Sequence, residues 1–109
     1  IFGALGLGDI GEHFPPSDDK WKDADSGLFL VYAKKKSDEM NAVINNIDIT
    51  IICERPKISK YKSEMQKRIA ELLDISISDV NIKATTTEKL GFTGRSEGIA
   101  AQASCTIMI

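Results

Sequence analysis

The residues from Gly98 to Ile109 constrain the fold more than any other stretch of this chain. Ile99, Ala101, Ala103, Cys105, Ile107 and Ile109 alternate with Gly98, Ala100, Gln102, Ser104, Thr106 and Met108, the two-residue period of a β-strand, and neither set contains a charge. A strand with one wet face would carry charged side chains there, so this one is expected to be covered on both sides. Ile47 to Cys53 reads as another strand, with Ile47, Ile49 and Ile51 alternating with Asp48, Thr50 and Ile52. Val80 to Ala84 is a short third. Helical spacing fills the intervals. Phe29, Tyr32, Ala33, Met40, Val43 and Ile44 follow Ser26, a candidate cap, up to a turn at Asn45 and Asn46. Tyr61, Met65, Ile69, Leu72 and Leu73 follow Ser59 in the same role. Ile1 to Leu7 reads as the end of a helix closed by Gly6 and Gly8. Asp9 to Asp25, with Gly11, Pro15, Pro16 and six acidic residues, is expected to be one long irregular loop, a length more often functional than idle. The order helix, loop, helix, strand, helix, strand, strand places the chain in the α+β class, a single domain with one mixed sheet packed with helices. So small a sheet, with an apolar last strand, buries more surface in a ring of subunits than alone, and a homo-oligomer is expected.

The 109 residues suit one core and not two. No apolar run approaches the roughly 20 residues a bilayer helix needs, and no basic leader precedes a cleavage site. A soluble internal protein with no membrane partner is expected. Lys and Arg number 14 against 16 Asp and Glu, a net charge of -2, which argues against nucleic acid as a partner. Cys53 and Cys105 lie far apart without a CxxC pair and read as small core residues rather than a disulfide framework or a zinc knuckle. The chain opens on Ile1 within an apolar stretch, without an initiator Met, and is expected to be the remaining part of a longer polypeptide.

The densest polar signal is Thr85, Thr86, Thr87, Glu88 and Lys89, directly after a strand and before the turn Gly91 to Arg95. Hydroxyls and free backbone N–H groups at a strand end can bind phosphate; the β preference of threonine and an ordinary glycine turn explain the same residues equally well. Glu88 sharpens the first reading, because a carboxylate beside phosphate oxygens repels them unless a cation such as Mg²⁺ lies between. Asp9, held between Gly8 and Gly11, is a carboxylate that a ligand could approach, or a plain helix-end turn. His13 is the only histidine, so this chain alone builds neither a Ser/His/Asp triad nor a two-histidine metal site, and it reads as a loop residue. From Glu54 to Arg68 six basic residues face two acidic ones, mostly a solvated helix face. Lys57 stands apart, because it follows Pro56 at a strand end, just before a helix start where an anion is favoured.

Gly8-Asp9-Ile10-Gly11, Phe14-Pro15-Pro16-Ser17-Asp18, Pro56-Lys57 and above all the continuous block from Lys83 to Ala100 closely resemble the 2-C-methyl-D-erythritol 2,4-cyclodiphosphate synthase family. Order and spacing match over all 109 residues without an evident gap, as one synthase domain lacking its N-terminal segment. The resemblance implies a lyase of non-mevalonate isoprenoid biosynthesis. Such an enzyme converts 4-diphosphocytidyl-2-C-methyl-D-erythritol 2-phosphate to the cyclic diphosphate plus CMP by intramolecular phosphoryl transfer. It implies Zn²⁺, whose ligands would precede Ile1, and a second ion, Mg²⁺ or Mn²⁺, held in part by Glu88. Thr86 matches a threonine that stabilises the transition state, making it the catalytic candidate, and Thr85 and Thr87 flank it along a phosphate-contacting strip. Asp9 matches the carboxylate that binds hydroxyls of the methylerythritol part. Ile10, Gly11, Phe14, Pro15, Pro16, Ser17 and Asp18 form the adjoining substrate loop. Cys53, Glu54, Arg55, Pro56, Lys57, Ile58 and Ser59 match the segment that wraps the cytidine, largely through backbone groups. The resemblance further implies a homotrimer with active sites between subunits, in the bacterial cytoplasm or the plastid stroma. Phe92, Arg95 and Glu97 match residues lining an axial cavity that holds an isoprenoid diphosphate in some members, unless Arg95 and Glu97 merely pair between subunits. A chain truly beginning at Ile1 would instead be a non-catalytic trimeric nucleotide or isoprenoid-diphosphate binding fragment. Fusion to a cytidylyltransferase domain is a third arrangement.

Overall fold

A computed structural model describes all of residues 1–109. The chain divides into two compact units, one of Ile1–Asn45 with Cys105–Ile109 and one of Asn46–Ser104. In chain order the elements are α1 (Phe2–Leu5), α2 (Ile10–His13), α3 (Ser26–Glu39), β1 (Val43–Ile52), α4 (Lys62–Leu73), β2 (Val80–Thr85), α5 (Gly91–Gly94) and β3 (Ala100–Met108). The three strands form one sheet in the order β2-β1-β3. Helices with a small sheet are the α+β class that the periodicities predict, and no helix is long and apolar enough to cross a membrane.

In the first unit, α1 closes on Gly6 in the left-handed region, as the glycine predicts. The expected single loop from Asp9 to Asp25 is instead broken into short ordered pieces. Asp9 caps α2 by accepting from the Glu12 N–H at 3.0 Å, and Asp18 caps a 3-10 turn over Asp19–Trp21 by accepting from the Lys20 N–H at 3.0 Å. Three of the six acidic residues that suggested irregular chain, Asp9, Asp18 and Asp25, are thus helix caps. Phe14 is buried, and its ring meets those of Trp21, Phe29 and Tyr32 edge-on at 4.7–4.8 Å between centroids. Asp25, not Ser26, caps α3, accepting from the Gly27 N–H at 2.7 Å. The same helix stops at Glu39, short of the expected Ile44. Asn41 enters the left-handed region and the buried Ser37 hydroxyl donates to the Ala42 carbonyl at 3.0 Å, so Val43 and Ile44 already belong to β1. Asn45 and Asn46 accordingly lie within a strand and not in a turn.

In the second unit, β1 and β2 pair in parallel, with Ile47 opposite Val80, Ile49 opposite Ile82 and Ile51 opposite Ala84. Parallel neighbours need a crossover, which α4 supplies. Ile51, Cys53, Ile58, Ala70, Val80 and Ile82 form its core, flanked by Ile49, Met65, Ile69 and Ile75. The expected cap at Ser59 is not made. Ile58 is drawn into the core, the chain makes a 3-10 turn over Ile58–Lys60, and α4 starts only at Lys62, with no side chain capping it. Asp74 in the left-handed region ends α4. Cys53 is buried and Cys105 half-buried, both free. Within one chain only Ala100, Cys105 and Ile107 of β3 are even partly buried, so the chain by itself does not supply the cover expected on both faces of this strand.

Candidate functional site

The parallel pair delivers its carboxyl ends side by side, the place where ligands bind in parallel α/β arrangements. The Cys53 N–H donates to the Thr85 carbonyl at 3.1 Å, carrying the pairing one step beyond β1. Past that bond the two chains diverge around a cavity of about 290 Å³, lined by Cys53, Glu54, Pro56, Lys57, Ile58, Ser59, Lys62, Ala84, Thr85 and Thr86. Its size is near the lower end of small-molecule clefts, roughly 300–1,000 Å³. The buried Cys53 thiol donates to the Pro56 carbonyl at 3.6 Å, and buried Ile58 anchors the far end of the same segment. The Arg55–Pro56 peptide bond is cis. Two lysines, Lys57 and Lys62, and two threonines, Thr85 and Thr86, are among the lining residues. That set suits an anionic ligand.

The turn after β2 is held by its own hydroxyls. Thr86 Oγ1 accepts from the Glu88 N–H at 3.2 Å, which leaves its own proton to donate elsewhere. Thr85 Oγ1 donates to the Thr86 carbonyl at 3.2 Å. Thr87 behaves differently: its hydroxyl donates to the Leu90 carbonyl at 2.5 Å and lies 3.0 Å from that of buried Thr93. Of the three threonines, then, Thr87 is absorbed by the turn and does not line the cavity. Glu88 and Lys89 take φ of 52° and 67°, consecutive left-handed residues that are not glycine. Each costs about 1–2 kcal/mol relative to ordinary backbone. Gly94 sits so close to the Lys89 backbone that a Cβ there would overlap it, so this position needs glycine.

Glu88 is exposed, and no three His, Cys, Asp or Glu side chains gather anywhere in the chain. The donors present therefore do not fit zinc, which takes three or four nitrogen, sulfur or carboxylate ligands from protein. A hard ion such as Mg²⁺ asks less, because one carboxylate suffices when water and phosphate oxygens complete the shell. Glu88 fits that role.

In the first unit, Ile10, Gly11, Phe14, Pro16, Asp18, Asp19, Trp21, Lys22 and Phe29 line a separate cavity of about 400 Å³. Pro15 and Ser17 are exposed beside it, and Asp9 spends one carboxylate oxygen on its cap. His13 is more than a loop residue. Its Nε2–H donates to the Leu7 carbonyl at 2.8 Å, since that oxygen can only accept, and Nδ1 lies 3.1 Å from the Tyr32 hydroxyl. The imidazole thus fastens the chain just before Gly8 and Asp9. Periodicity did not single out Trp21, Phe29 or Lys62 as lining residues; two Asp caps and a helix that starts late put them there.

Phe92 is exposed, with its ring against Gly98 where a Cβ would lie 3.2 Å away. The Arg95 guanidinium donates through Nε and Nη2 to the two Glu97 oxygens at 2.8 and 3.1 Å. Ser96, at φ 58°, lies between them, and the two side chains meet within one chain. An anion at Arg95 would have to compete with that pair. On the β1–β2 face, the Lys83 ammonium 2.6 Å from Asp48 Oδ2, followed by the Asn81 amide at 2.9 Å, holds the Asp48 carboxyl below its usual range.

Comparison with known proteins fits this arrangement. Residues 1–108 match the model of the YgbB family. The chain is 59% identical over 103 residues, 94% of its length and 60% of the relative's, to the 2-C-methyl-D-erythritol 2,4-cyclodiphosphate synthase of Ehrlichia canis. Among solved structures it resembles the bifunctional IspDF of Campylobacter jejuni, with TM-score 0.93 and 46% identity over 97% of this chain and 29% of that one. It also resembles a CDP complex of IspF from Plasmodium falciparum, with TM-score 0.83 and 36% identity over 97% of this chain and 62% of that one. The chain spans 26% to 64% of the length of such curated relatives.

Proposed function

The chain belongs to the YgbB family, and from that membership we propose that it supplies the nucleotide and phosphate site of a 2-C-methyl-D-erythritol 2,4-cyclodiphosphate synthase, a phosphorus–oxygen lyase. The observation that carries this reading is the cavity on which Thr85 and Thr86, at the end of β2, face the Cys53–Ser59 segment at the end of β1. A cytidine diphosphate group is the ligand these walls suit. The segment's backbone groups would receive the base and ribose, while Lys57, Lys62 and the two hydroxyls would meet the diphosphate.

The reaction closes a ring within one substrate. Its 2-phosphate attacks the β-phosphorus and CMP departs, so the protein has chiefly to bring the two ends together and offset charge. Thr86 is the hydroxyl that would donate to a non-bridging oxygen as charge develops in the transition state. Thr85 would orient the same group. Glu88 would hold a divalent ion, which when bound neutralises the diphosphate. Zinc ligation would fall to residues outside this chain. Asp9 retains a carboxylate oxygen free of its cap to accept from the sugar-alcohol hydroxyls, and Ile10, Gly11 and Phe14–Asp18 would bound that part of the substrate. Three copies would assemble into the working enzyme, a reading supported by the exposed, uncharged β3.

The test is to incubate the intact protein with 4-diphosphocytidyl-2-C-methyl-D-erythritol 2-phosphate, Mg²⁺ and Zn²⁺, and follow phosphorus resonances. Equal amounts of CMP and cyclic diphosphate are expected. Tight CDP binding without CMP release would overturn the synthase reading and leave a nucleotide-binding protein.

A further inference from the structure

Glu54 is the only carboxylate lining the Cys53–Ser59 cavity. On a cavity meant for a diphosphate, that charge is unfavourable unless it does something else, since like charges repel. The half-buried side chain reaches to the turn that follows β2, where Glu54 Oε1 accepts from the Lys89 N–H at 3.2 Å. Lys89 is the second of the two left-handed residues that follow Thr87. Such backbone persists only where its surroundings over-determine it. The other bonds at this turn run among its own residues, from Glu88 N–H to Thr86, from Leu90 N–H to Thr87 and from Thr87 to Thr93. The backbone bond from Cys53 to Thr85 ties the strand end and stops short of the turn. Glu54 is the side chain that joins the turn to the facing wall, and an ionised acceptor makes that bond stronger than a neutral one would.

We infer that Glu54 is a positioning residue: by holding the Lys89 N–H it fixes the left-handed turn, so that Thr86 and Glu88 are aimed at the phosphates of a nucleotide lying against the Cys53–Ser59 segment. This rests on the synthase reading above. The role belongs to the side chain of a segment otherwise expected to act through its backbone. It also explains a carboxylate at a position that faces an anionic ligand.

The test compares Glu54→Ala and Glu54→Gln in the intact protein by amide hydrogen exchange and by steady-state kinetics. In Glu54→Ala, exchange at Lys89 should rise at least tenfold and kcat should fall about tenfold with KM changed less than threefold, because misplaced groups lose chemistry more than binding. Glu54→Gln keeps an acceptor of the same length, so it should restore amide protection and most of the lost kcat. Unchanged exchange at Lys89 in Glu54→Ala would overturn the inference, as would a Gln variant as impaired as Ala, which would make the charge and not the bond the active feature. If Glu54→Ala does not fold, Glu54→Ser, too short to reach Lys89, takes its place with the same expectations. Failure of the synthase reading looks different: the unsubstituted protein releases no CMP, while exchange at Lys89 still reports whether Glu54 holds the turn.

Discussion

At the scale of single residues, the Thr85–Thr86–Thr87 run shows how alike side chains part company once folded. Thr86 receives the Glu88 N–H and keeps its proton, whereas Thr87 is enclosed by Leu90 and Thr93. Thr86→Ala is therefore expected to lower kcat by roughly 10²–10³, the worth of one donor aimed at developing charge. Because its side chain is exposed, the thermal midpoint should barely move, and Thr86→Ser should recover most of the rate. Kinetics and circular dichroism on the same samples check both statements. That Thr85 and Thr86 line the cavity and Thr87 does not could not be read from three identical neighbours, since a strand end followed by left-handed residues no longer alternates. Glu54 was equally unreadable. Its partner Lys89 is 35 residues away, and nothing local in the segment marks the side chain for a role at the turn that follows β2.

At the scale of elements, the strands and the second long helix follow their hydrophobic periods, and the discrepancies gather at the ends. Helix α3 stops early because Asn41 turns left-handed and Ser37 holds the Ala42 carbonyl, and α4 starts late because Ile58 is packed into the core. The first is a local hydrogen bond beside a left-handed residue and the second is core packing, and each overrides what the local sequence suggests. The short helix α5 matters through its closeness to the preceding turn. A methyl group at Gly94 would overlap the Lys89 backbone, so Gly94→Ala should destabilise the fold by about 1–3 kcal/mol, as overpacking does. A urea titration would show a lower midpoint, and an unchanged one would mean that α5 yields freely. The same variant should disturb the turn that Glu54 holds, since both act on Lys89.

At the scale of the whole molecule, β3 and other exposed apolar side chains pose the main demand. Ile99, Met108 and Ile109 are 56%, 59% and 86% exposed, Leu90 and Phe92 are 73% and 53% exposed, and most of β3 itself is uncovered. Surfaces of this kind mark interaction sites. Native mass spectrometry of the intact protein is expected to give three copies, and Ala103→Lys, a charge placed mid-strand on β3, should shift the distribution to monomers. A monomer at micromolar concentration without any substitution would contradict the trimer. Read without coordinates, the chain already settles its α+β class, its three strands, its lack of a membrane-spanning helix and its family resemblance. These rest on short-range periodicity and on unbroken motifs. The pairing of β1 with β2, the cavity between Cys53–Ser59 and Thr85–Thr86, the late start of α4 and the bond from Glu54 to Lys89 emerge only from the tertiary structure. They depend on contacts between residues some 30 positions apart, such as Ile52 and Thr85, whose geometry is set by the crossover helix and the shared core rather than by either sequence segment alone.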